Sequence, residues 1–111
     1  MNKLWTDDGW ADYLYWQSQD KKTLKRINEL IKDIERNGVL NGIGKPEKLT
    51  NNLSGLYSRR INDKDRLVYK LENDFNYSIR EAKIFPEIEF NYYGNDSMLD
   101  SFNERIKNNK Y

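Results

Sequence analysis

Two periodicities divide the chain. Between residues 5 and 36, apolar side chains recur at helical spacing, and between 56 and 85 they alternate. Lys3-Leu4-Trp5 reads as a short edge strand. Thr6 then predicts a helix N-cap, with Asp7 and Asp8 in the first turn where the helix dipole favours negative charge. Trp10, Tyr13, Leu14 and then Trp16 or Gln17 follow at helical spacing to an end near Gln19. Asp20 caps the next helix, Lys21 to about Arg36. There Leu24, Ile27, Leu30, Ile31 and Ile34 form the apolar stripe, and Asn37-Gly38 is a stop signal.

Residues 38–55 are rich in glycine, asparagine and proline and predict a loop. The alternating half yields a strand over Leu56–Ile61, a turn at 62–65, a strand over Arg66–Leu71, a turn at Asn73-Asp74 and a strand over Tyr77–Phe85. Beyond Pro86, residues 87–93 alternate as one more strand, and Ser97 opens a final helix with Met98, Leu99, Phe102 and Ile106 on its apolar side. The fold class is α+β: two helices packed on one face of a small antiparallel sheet, with an extra strand and helix at the C-terminal end.

Composition narrows the chemistry. There is no Cys, which excludes disulfides and thiolate metal sites, and no His, which removes the commonest metal ligand and the side chain best matched to proton transfer near neutrality. No metal or other cofactor is expected. Three Trp, eight Tyr and four Phe supply the area that a 111-residue core needs. Helical spacing makes packing a better account of Trp5, Trp10 and Trp16 than base stacking. No apolar run approaches the ~20 residues that cross a bilayer, and the N-terminus lacks a secretory apolar stretch, so the expectation is a cytoplasmic protein with no membrane partner.

A net charge of +1 conceals an asymmetry. Residues 1–71 carry 14 Lys/Arg against 10 Asp/Glu, whereas residues 72–111 carry 5 against 8. A basic body points to a polyanionic partner such as RNA. The acidic tail is unselected sequence, an added strand and helix, or a cover for the basic body.

Five strings carry a resemblance. They are Trp10–Gln17, Lys25–Asp33, Gly44-Lys45-Pro46-Glu47-Lys48-Leu49, Asn52–Ile61 and Asp65-Arg66-Leu67-Val68-Tyr69. In order and spacing, from the start to about residue 71, the chain resembles the YoeB family of bacterial type II toxins, within the RelE/ParE-like superfamily. The resemblance implies a RelE-like domain over 1–86, followed by a divergent acidic extension over 87–111. It implies metal-independent cleavage of messenger RNA on the ribosome, and as partners the ribosome, its messenger RNA and a cognate acidic antitoxin.

Cleavage by the RNA's own 2′-hydroxyl needs a base, a cation for the charge on phosphorus and an acid for the leaving 5′-oxygen. The family pattern assigns the base to Glu47 and the cation to Arg66. On residue chemistry alone, Glu47 is an ordinary loop carboxylate and Arg66 an edge-strand charge. Lys45, Lys48, Arg59 and Arg60 are the candidate RNA contacts. Arg59 and Arg60 are consecutive on a strand and point to opposite faces, so at most one lines the site; shared parity with Ser58 favours Arg60. In the family a His-Tyr pair supplies the acid and orients the RNA. Here those positions fall on Phe85 and Pro86, whose side chains donate no proton. Reduced activity is therefore expected; the alternative is a toxin-like module that binds antitoxin or ribosome without cutting.

Overall fold

The computed structural model describes residues 1–83. The expected strand at 87–93, the helix from Ser97, and Phe85 and Pro86 lie outside the described residues, as does the extension over 87–111.

Strand β1 (Asn2–Trp5) leads into α1 (Asp7–Gln19) and α2 (Lys21–Asn37). The Thr6 hydroxyl accepts the Gly9 N–H at 3.1 Å, and the Asp20 carboxylate accepts the Lys22 N–H at 3.1 Å and the Thr23 hydroxyl at 2.6 Å. Each satisfies a donor that the first helical turn leaves without an intrahelical partner. At the far end of α2, Gly38 takes φ 91° and donates to the Ile34 carbonyl at 2.9 Å. β2 (Glu47–Lys48), a 3₁₀ turn (Asn51–Leu53), β3 (Leu56–Arg60), β4 (Arg66–Leu71) and β5 (Asn76–Glu81) follow.

The five strands lie in the order β1-β5-β4-β3-β2. All neighbours are antiparallel except β1 and β5, which run parallel with Lys3 beside Tyr77 and Trp5 beside Ile79. The sheet is therefore mixed, which corrects the purely antiparallel expectation. Alternation tells which face a residue takes and nothing about a partner seventy residues away.

Both helices cover one face. Ile27, Leu30, Ile31 and Ile34 of α2 pack on Leu67, Tyr69, Tyr77 and Ile79. Each such aliphatic burial contributes about 1.5–3 kcal/mol, and truncating Leu30 or Ile34 to Ala would cost about 2–5 kcal/mol. The opposite, open face carries a smaller cluster of Leu49, Leu53, Leu56 and Val68.

The expected stripe of α1 splits: Tyr13 and Trp16 pack against the core, and Trp10 and Leu14 do not. Trp10 is 45% and Leu14 45% exposed, whereas Gly9 and Asp12 are buried. A Cβ at Gly9 would overlap the Ile79 carbonyl, so only glycine lets the helix approach β5 this closely. One turn on, Asp12 accepts the Ala82 N–H at 3.0 Å and the Trp16 indole donates to the Ala82 carbonyl at 2.5 Å. Both backbone groups of Ala82 are thereby satisfied by side chains of α1 just past the end of β5.

Candidate active site on the open sheet face

In an antiparallel ladder, directly paired residues share a face. Glu47 pairs with Ser58, and Ser58 pairs with Val68. These three form one row across β2, β3 and β4 on the face away from the helices. The next open-face row, two residues along, is the pair Arg60 and Arg66. Strand spacing and rise put the Glu47 and Arg66 Cα atoms about 12 Å apart.

Local chemistry sets each member. Glu47 is exposed on a two-residue strand that ends the sheet. Arg60 is exposed, its N–H donating to the Gly44 carbonyl at 2.7 Å. Arg66 is 5% exposed, and its Nη1 donates to the carbonyls of Asn62 at 2.7 Å and Asp65 at 3.0 Å. Those carbonyls belong to a turn that Asn62 stiffens, its side-chain oxygen accepting the N–H groups of Lys64 and Asp65, both at 2.8 Å. The guanidinium is thus held against a braced turn.

The remaining sequence-predicted residues separate from this pair of rows. Arg59 corrects the expectation of an RNA contact. It faces the helices, is 0% exposed and spends its donors on Tyr69, Asp33 and the carbonyls of Gly38, Asn41 and Ile43. Lys48 pairs with Tyr57, so it leaves the edge strand on the face opposite to Glu47. Lys45 is exposed two residues before Glu47, with its backbone at φ 50°.

Arg80 lies on the open face by alternation with Ser78, and a bulge brings the buried Glu81 opposite Val68 as well. The β4–β5 register shifts by one: Tyr69 pairs with Ile79, yet Val68 pairs with Glu81. Arg80 is the extra residue of this bulge, and both Arg80 and Glu81 oppose Val68. Arg80 Nε donates to the Ser78 hydroxyl at 2.9 Å and Nη2 to Glu72 at 2.7 Å. The Ser78 hydroxyl, together with the smaller effect of Arg80, holds the Glu72 carboxyl below the usual carboxylate range. No sequence signal marks such a bulge. Past it, the Arg66 N–H donates to the Lys83 carbonyl at 3.1 Å, so the chain leaving β5 runs beside Arg66.

Among the described residues, no three His, Cys, Asp or Glu side chains converge as metal ligands, and no helix is long and apolar enough to cross a membrane. The face carries the carboxylate of Glu47 and the guanidiniums of Arg60 and Arg66. That set can accept a proton and stabilise charge on phosphorus.

Comparisons with known proteins agree with the fold. The family model of the YoeB-like toxin of bacterial type II toxin-antitoxin systems matches residues 5–84. Toxin YoeB of Escherichia coli strain K12 is 53% identical over 74 residues, which are 67% of this chain and 87% of that protein. Among solved structures, the toxin in the heterotetrameric YoeB-YefM toxin-antitoxin complex from Staphylococcus aureus superposes with a TM-score of 0.71 at 50% identity, covering 77% of this chain and 97% of that one. A YoeB/ParE toxin from Agrobacterium tumefaciens does so with a TM-score of 0.73 at 32% identity, covering 77% and 99%.

Proposed function

This chain belongs to the YoeB-like toxins of bacterial type II toxin-antitoxin systems, and from that premise we propose that it is a metal-independent endoribonuclease that cuts messenger RNA on the ribosome. Glu47 takes the proton of a 2′-hydroxyl. The 2′-oxygen bonds to phosphorus, the bond to the 5′-oxygen breaks, and the products are a 2′,3′-cyclic phosphate and a 5′-hydroxyl. Arg66 stabilises the charge that grows on the phosphoryl oxygens, where a planar guanidinium makes paired hydrogen bonds. Arg60, more exposed than Arg66 and in the same row, meets the incoming backbone first.

The observation that carries this reading is the shared face of Glu47, Arg60 and Arg66. The leaving 5′-oxygen takes its proton from water, because Phe85 and Pro86 stand where the family has its proton-donating pair. Loss of a general acid costs about 10²–10⁴ in rate, so turnover is slow. The toxins of the Staphylococcus aureus complexes assemble with YefM, and an acidic antitoxin is the corresponding partner here, in the cytoplasm.

The absence of a side-chain donor at Phe85 and Pro86 also favours a second reading, a toxin-like module that occupies antitoxin or ribosome without cutting. Primer extension across translated and untranslated copies of one message, after induction of the full chain, separates the two. New ends confined to the translated copy support the nuclease. No new ends, together with retained ribosome binding, support the module.

A further inference from the structure

Arg59 has no place on the RNA-facing side, yet it is among the most heavily bonded side chains of the described residues. It spans α2, β3, β4 and the whole loop between α2 and β2. A guanidinium has five N–H donors in a fixed fork. Here Nε donates to the Tyr69 hydroxyl at 2.9 Å, Nη1 to Asp33 and to the Ile43 carbonyl at 3.1 Å, and Nη2 to the carbonyls of Gly38 and Asn41, both at 2.7 Å. Its partners extend the grip. Asp33 also accepts the Ile43 N–H at 2.9 Å, and the Tyr69 hydroxyl donates to the Val39 carbonyl at 2.6 Å. Backbone groups at 38, 39, 41 and 43 therefore all converge on one buried cation and its two side-chain partners.

The loop so held has no regular structure to select its path. Gly44 stands at φ 80° and Lys45 at φ 50°, and a non-glycine residue in that region is strained unless its surroundings hold it. The next residues are Pro46 and Glu47. Two ladder pairs, Glu47 with Ser58 and Lys48 with Tyr57, then tie β2 to the sheet, flanked by backbone hydrogen bonds from Arg60 to the Gly44 carbonyl at 2.7 Å and from Leu49 to the Leu56 carbonyl at 2.9 Å. So short a strand shares the setting of its position with the loop that feeds it.

We propose that Arg59, with Asp33, is the positioning residue of Glu47: a buried clamp that folds residues 38–45 onto α2 and thereby sets where the candidate base stands opposite Arg66. This inference rests on the proposed role of Glu47, and its structural half can be tested without that role.

The experiment uses the full chain carrying Arg59→Lys, which keeps the charge and loses the fork, and Asp33→Asn, which keeps an oxygen for Ile43 and loses the charge. Amide hydrogen exchange reads the loop. Protection of residues 39–48 should fall in both variants while β4 and β5 keep theirs. An even loss of protection across the sheet, or no loss in the loop, overturns the clamp. Cleavage on programmed ribosomes reads the chemistry. Arg59→Lys should lower kcat roughly 10²-fold, the cost of misplacing a reacting group by about 1 Å, with KM unchanged. Added guanidinium ion should restore part of the rate to Arg59→Ala. In the Glu47→Ala background, Arg59→Lys should cost nothing further; two penalties that multiply would show that Arg59 does not act through Glu47. If Glu47→Ala cleaves like the parent, the nuclease assignment of Glu47 falls, and hydrogen exchange alone decides whether the clamp exists.

Discussion

Glu47 and Arg66 stand on one face of the sheet two strands apart, joined by the Ser58–Val68 pair between them, with Arg60 beside Arg66 in the neighbouring row. The relationship is set by backbone register and not by any contact between the two side chains. A variant at one end should therefore leave the other in place.

Arg66 has both a structural and a chemical partner set. Its Nη1 closes the 62–65 turn through the Asn62 and Asp65 carbonyls. Arg66→Ala is expected to lower both stability and cleavage, since the 62–65 turn loses the Nη1 donor to the Asn62 and Asp65 carbonyls, at about 0.5–1.5 kcal/mol for each hydrogen bond. Arg66→Lys should recover most of the melting temperature and little of kcat, since an ammonium lacks the paired geometry. Thermal melts and single-turnover rates on the same samples check this.

Arg59 and Arg60 are neighbours with opposite fates. Arg60→Ala should leave the melting temperature unchanged, weaken ribosome or RNA binding and reduce the salt slope of log K by about 1, the signature of one lost phosphate contact. Arg59→Ala should break the buried pair with Asp33 and cost about 3–5 kcal/mol. Thermal melts, and binding titrated over a range of salt concentrations, separate the two.

Much of this fold is legible because its signals are local. Thr6, Asp20 and Gly38 announce the helix ends through capping chemistry, and the stripe from Ile27 to Ile34 announces the buried side of α2. What escapes is set by distant partners. The parallel pairing of β1 with β5 depends on a strand far along the chain. The inward side of α1 is set by Gly9, Asp12 and Trp16 against the end of β5; the aromatic spacing announces Tyr13 and Trp16 and misplaces Trp10 and Leu14. Adjacency shows that Arg59 and Arg60 diverge, and which of them is buried depends on where α2 lies. The Arg80 bulge has no sequence signature.

Acid should loosen the α2 side of the molecule. Desolvation pushes Asp33 upward, but the Ile43 N–H, Arg59 and Asn37 outweigh it and leave the carboxyl below its ordinary 3.8. At Glu35 desolvation is likewise outweighed, by Tyr77 and Lys3, leaving it below 4.5. A carboxyl whose pKa is lower in the folded chain stabilises it above the unfolded pKa, and that stability drains away as pH falls through the folded value. Stability should be level with respect to these groups above about pH 5 and decline below pH 4.5. Asp33→Asn, less stable at neutrality, should approach the parent as pH drops. Denaturant titrations from pH 7 to pH 3 measure it.

The missing donor at the end of the sheet makes a gain-of-function prediction. A chain ended after residue 84 and extended by His-Tyr restores the family's terminal pair next to the strand end that runs beside Arg66. Its cleavage rate should rise by about 10²–10⁴, and its pH profile should gain a limb near the imidazole pKa of ~6.5. An unchanged rate would mean that the scaffold lacks more than its acid.

The most direct measurement is the single-turnover cleavage rate of Glu47→Gln against the parent on ribosomes programmed with one defined message. Glu47 is exposed at the sheet edge, so the substitution leaves the fold intact, as a matching melt would confirm. Removing the base should cut the rate by about 10²–10⁴ with ribosome binding unchanged. Equal rates for the two proteins would contradict the account.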